Sequence, residues 1–159
     1  MRRDLDVTQP RDIAIWVPLL VGIGATICTV IIHSVGLMAV IRFVRHQRRL
    51  GRAGRSFWTD VAIVTVAVLL ALLAHLIEIA LWAELFAISG EFSNLGAAFY
   101  QSAMNYTTLG YREVVMSARW RMLEPLEAAD GMLMFGVTTA MVFTIIQRLV
   151  QTRFQDLSQ

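Results

Sequence analysis

Apolar residues run on without polar alternation through three stretches of the chain. Ile13–Val44 contains one full charge, Arg42, and Val61–Leu85 contains only Glu78 and Glu84. Leu123–Val150 is a third stretch with more polar positions. A membrane-crossing helix needs roughly 20 mainly apolar residues, so each stretch is long enough to span a bilayer. The pattern predicts helices over about residues 13–44 and 58–86, and a last one beginning near Glu124-Pro125, where a first turn tolerates proline. The first would be roughly 48 Å long, so its ends must leave the ~30 Å apolar core or tilt. Gly22, Gly24 and Gly36 are places on it where another helix can come close. Ile88-Ser89-Gly90 reads as the turn that ends the second helix.

Between the second and third stretches lies Phe92–Tyr106, apolar but too short to cross. The small polar segment Thr107–Glu113 and then Arg119-Trp120-Arg121 follow it. A half-helix that enters the membrane and returns is the economical geometry. Irregular backbone survives at membrane depth only where protein buries it or a water-filled path borders it, so this segment implies a pore or cavity.

Composition agrees, at 57% hydrophobic and 16% charged residues, against about 45–50% and about 25% in soluble domains. Lone Cys28 excludes a disulfide framework. Arg42, Arg45, Arg48, Arg49, Arg52 and Arg55 fill the first connection with no acid among them. This is the positive-inside signal of a cytoplasmic loop and needs no nucleic-acid partner. It predicts a multi-pass protein of the plasma membrane, N-terminus outside and C-terminus cytoplasmic. In the N-terminal tail Arg2, Arg3 and Arg11 are balanced by Asp4, Asp6 and Asp12, and no cleaved signal peptide is expected.

The run Thr107-Thr108-Leu109-Gly110-Tyr111-Arg112-Glu113 resembles the filter signature of the potassium-channel superfamily: a threonine pair, an aliphatic residue, then Gly-Tyr-Gly-Asp. Phe99 and Tyr100 lie in the short helix before it, and a tryptophan-bearing turn and a glycine-bearing helix follow. Glu91–Arg148 as a whole is similar to the pore domain of small bacterial two-helix channels, with an extra helix in front. The resemblance implies an all-α membrane protein of three transmembrane helices plus a re-entrant pore helix and filter loop, assembled as a homotetramer. Residues 1–57 would be the tail, extra helix and basic loop, 58–150 the pore domain, and 151–159 a short cytoplasmic tail. Its partners would be copies of itself and membrane lipids.

The resemblance also implies a monovalent cation, potassium or another, as the permeant ion, and no further cofactor. Carbonyls of Thr108, Leu109, Gly110 and Tyr111, with the Thr108 hydroxyl, would replace the ion's hydration shell in a ring built from four chains. Gly110 permits the positive φ that turns carbonyls to an axis. Arg112 departs from the pattern, standing where the family has its second glycine. A left-handed arginine costs roughly 1–2 kcal/mol. At an assumed ~7 Å its charge would repel a cation by roughly 0.6–2.4 kcal/mol, which Glu113 partly offsets. Either the upper ion site is lost or conduction is poor. A non-conducting relative, acting as a membrane sensor or assembly subunit, is the alternative function.

Ionisable residues inside membrane segments are functional candidates. His75 and Glu78 share a helix face. The pair suggests a metal site only if a third ligand is near, and none is near in the sequence. Glu78 is instead expected to reach the back of the pore helix at Asn105 or Tyr106 and brace the filter, with Tyr100 a further support. His33 reads as a hydrogen-bonded core residue or as a partner of His75. Glu124, Glu127 and Asp130 form an acidic stripe, which would either face the conduction path and concentrate cations or pair with Arg119 or Arg121. Asp130, Gly131, Gly136, Thr138 and Thr139 are the candidate gate or cavity residues. No nucleophile–base pair suggests an enzyme.

Overall fold

The computed structural model describes residues 15–110 and 115–156, with side chains as far as 153. It is all helical among those residues. The helices are α1 (Trp16–Arg49), α2 (Phe57–Ile88), α3 (Leu95–Tyr106) and α4 (Leu123–Asp156). α1, α2 and the Leu123–Arg153 part of α4 are each long and apolar enough to cross a membrane. α1 runs five residues beyond the end expected from its apolar stretch. Arginines interrupt hydropathy there but are good helix formers.

Local chemistry sets the ends. Ser56 caps α2 by accepting from the Thr59 amide at 3.3 Å, and Asn94 caps α3 by accepting from the Gly96 amide at 2.7 Å. Three helices close through the same reciprocal pair of backbone bonds, with a left-handed residue just past the end. In α1 that residue is Gly51 (φ 63) and in α2 it is Gly90 (φ 79). In α3 it is Thr108.

Contacts fix the helix directions. His33 meets Glu78 while a Cβ on Gly36 would meet Ala74, so α1 and α2 are antiparallel. Thr29 meets Asp130 and His33 meets Thr138, so α1 and α4 run parallel. α4 therefore starts at the end of the bundle where α2 stopped. The connection leaves and returns at one end, held by Glu91, which accepts from the Ser117 amide at 2.7 Å and from its hydroxyl. Arg45 and Arg48 of α1 and Arg148 of α4 line one groove at the opposite end.

The buried seam of α1 is Pro18, Gly22, Ala25, Thr29, His33 and Val40. In a membrane the lipid-facing side is as apolar as any core, so packing selects small and polar residues instead. A Cβ on Gly22 would lie 2.6 Å from Leu126 of α4, and one on Gly36 2.8 Å from Ala74 of α2. The Leu126 methyl can rotate away, but the Ala74 Cβ cannot, so it is Gly36 that lets α1 settle this closely against α2. Trp82, Phe86, Ala98, Tyr106, Met116 and Leu123 form the core around α3.

Candidate functional site

α3 is a twelve-residue half-helix, about 18 Å long. Its last turn delivers Thr107–Gly110 to the surface of the chain, where all four residues are exposed. The closure is specific. The Thr108 amide donates to the Asn105 carbonyl at 2.9 Å and the Leu109 amide to the Met104 carbonyl at 3.0 Å. This pair of bonds demands positive φ at Thr108, which has φ 59 and is the one non-glycine residue so placed among those described. A β-branched residue in that region is strained by roughly 1–2 kcal/mol. Gly110 follows with φ 62. Thr107 turns its hydroxyl back to the Ala103 carbonyl at 2.6 Å.

Behind α3 lies a seam of buried polar groups. Ser102 contacts the Ile79 carbonyl at 2.8 Å and Glu127 of α4. Tyr106, the last residue of α3, donates its hydroxyl to Glu78. His33 Nδ1 lies 2.9 Å from Glu78 Oε1, and His75 Nδ1 lies 3.1 Å from the Tyr106 hydroxyl. Thr138 of α4 sits between the two rings, 3.0 Å from His75 Nε2 and 3.3 Å from His33 Nε2. Nearer the connection, Asp130 accepts from Thr29 at 2.7 Å and from the Trp82 indole at 3.0 Å. Unpaired groups are costly here, so these bonds tie all four helices together.

Several expectations are corrected by this packing. Glu127 (0% exposed) and Asp130 (2%) are inside the bundle, so they neither face a conduction path nor pair with arginines. Arg121 instead donates to the Met116 carbonyl at 3.3 Å, and Arg119 lies over the Trp120 ring. Glu124 accepts from the Met116 amide at 3.4 Å. Thr138, half-buried, belongs to the histidine cluster. Gly131 is a contact point, where a Cβ would meet the Tyr106 carbonyl oxygen. Gly136 and Thr139 do lie on the open side of α4. Tyr100 is 51% exposed and outside the seam, whereas Asn105 accepts from Gln101 at 3.2 Å on α3 itself. A third residue of metal-ligand type does lie beside His75 and Glu78: it is His33, brought level with them by the antiparallel packing of α1 and α2. Tyr111, Arg112 and Glu113 lie outside the described residues.

Sequence reading also missed Ser102, Trp82 and Thr29. Polar residues at helical spacing within apolar runs were the available signal, but their partners lie on other helices.

Membrane-length helices flanking a half-helix that enters and leaves at one end define a channel-type pore domain. Residues 61–148 match the model of a family described as ion channel, a match over more than half of the chain, and the chain belongs to that family. α1 lies outside the matched region. No curated protein and no solved structure matches the chain.

Proposed function

We infer that four copies of this chain surround a central pathway and conduct a monovalent cation, potassium in the first instance, through carbonyls of Thr108, Leu109, Gly110 and Tyr111 in the filter segment Thr107–Glu113. The observation that carries this reading is the end of α3. Its carboxyl terminus, the negative end of a helix dipole, leads into the consecutive exposed residues Thr107–Gly110. Positive φ at Thr108 and Gly110 turns the chain away from helical bonding there, as carbonyls that are to meet a cation require. One chain supplies one such segment, and a closed ring of oxygens needs rotational symmetry. Leu109, 61% exposed on a single chain, gains cover in such a ring. The arginine-rich ends of α1 and α4 favour a cytoplasmic position for that end of the bundle, in the plasma membrane.

The test is reconstitution in vesicles with potassium, sodium and chloride flux measured separately, alongside native mass measurement in detergent. A tetramer passing cations and not chloride is expected. Monomers or dimers would overturn the assembly. A tetramer passing no ion would favour a sensor or assembly subunit instead.

A further inference from the structure

We propose that His33, His75 and Glu78 form a binding site for a divalent transition-metal ion of the zinc class, through which α1 is clamped to the pore domain. The set is chemically apt: two imidazoles and a carboxylate are borderline ligands that zinc favours, and alkaline-earth ions do not. The three residues are 3%, 4% and 0% exposed, and their ligand atoms lie within 4.8 Å of one another. Ligands at about 2.0–2.1 Å from a tetrahedral zinc are about 3.3 Å apart, so closure around the ion requires shifts of roughly 1.5 Å at most. Both imidazoles already approach the carboxylate, His33 Nδ1 at 2.9 Å from Glu78 Oε1 and His75 Nδ1 at 3.3 Å from Glu78 Oε2.

Polar contacts converge on the carboxylate. Glu78 meets His33, His75 and the Tyr106 hydroxyl, and Thr138 lies against the outer nitrogen of each ring. When both rings donate from Nε2 to the Thr138 oxygen, both Nδ1 lone pairs converge on Glu78. That is the arrangement in which outer hydrogen bonds aim imidazoles at a metal. A bound ion draws both imidazoles and the carboxylate to one point.

The consequences follow from chain position. His33 comes from α1, outside the family-matched residues, while His75 and Glu78 come from α2, inside them. Glu78 also receives the Tyr106 hydroxyl, one residue before the exposed Thr107–Gly110. Metal at this point fastens the additional helix and acts, through Glu78 and Tyr106, on the end of α3.

The test uses the full chain, expressed in zinc-supplemented medium and purified without chelator. Elemental analysis should find one zinc per chain in the wild type and less than a tenth of that in His33→Gln and Glu78→Gln. Thr138→Val should weaken zinc binding by about 10–100-fold. Expression in cobalt medium should give the visible bands of tetrahedral cobalt(II), which reports geometry even if a variant is unstable. Wild-type protein free of zinc and cobalt after both preparations would overturn the proposal and leave a purely hydrogen-bonded cluster. So would equal zinc in His33→Gln. Metal content and cobalt spectra are read without ion flux, so a zinc-loaded protein that conducts nothing sinks the channel reading and not this one.

Discussion

A Cβ built on Gly131 would lie 2.1 Å from the carbonyl oxygen of Tyr106. α4 therefore touches the end of α3 with no side chain between them, and the obstacle to any larger residue is backbone, which cannot rotate away. Gly131→Ala is expected to push α3 off α4 at a cost of about 3 kcal/mol, and to abolish flux. Gly136, with open space around its Cβ position, should accept alanine with almost no change in melting midpoint. Comparing the two unfolding curves in detergent checks the assignment; equal tolerance would mean that α3 and α4 are not in this contact.

Tyr106 offers a second test of the same end of α3. Its hydroxyl donates to buried Glu78, and Tyr106→Phe keeps the ring while removing the donor. A buried acceptor left without its partner costs about 1–3 kcal/mol. Thr139→Val, which removes an exposed hydroxyl bonded only to its own helix at Phe135, should cost much less. Chemical unfolding of both variants gives the comparison, and equal losses would remove Tyr106 from the role of anchor.

Backbone strain separates Thr108 from Gly110. Gly110→Ala places a side chain at φ 62 and should cost roughly 1–2 kcal/mol per chain. Thr108→Gly relieves strain of the same size, though glycine's freedom in the unfolded chain offsets about half of it. The melting midpoint should fall in the first variant and hold or rise in the second, while cation flux falls in both. A fall in both midpoints would show that the threonine side chain, rather than the bonds at Asn105 and Met104, holds this turn.

Arg112 lies outside the described residues, and the effect expected of it is electrostatic. Removing a charge that repels a cation by roughly 0.6–2.4 kcal/mol should raise potassium flux in Arg112→Gly, by roughly 3–50-fold if that step limits conduction. Vesicle flux with potassium and sodium measures it. Unchanged flux and selectivity would show that the chain accommodates arginine there without consequence to the ion.

What the sequence determined alone is whatever depends on the chain as a line. Long apolar runs specify spanning helices because lipid forbids unpaired backbone, and Phe92–Tyr106 is too short to do anything but return. Ile88-Ser89-Gly90 marked the end of the second helix because a left-handed turn is local chemistry. Helix faces were another matter. Lipid and core are equally apolar, so hydropathy could not say that Gly22, Thr29 and His33 face inward, or that Glu127 and Asp130 are buried inside the bundle. Nor could spacing show that Thr108 would occupy the position that glycine fills in α1 and α2. The cluster of His33, His75 and Glu78 exists only because α1 lies antiparallel to α2 with Gly36 against Ala74. That register is set by how closely small residues let the helices approach, a property of two surfaces that neither stretch of sequence carries alone.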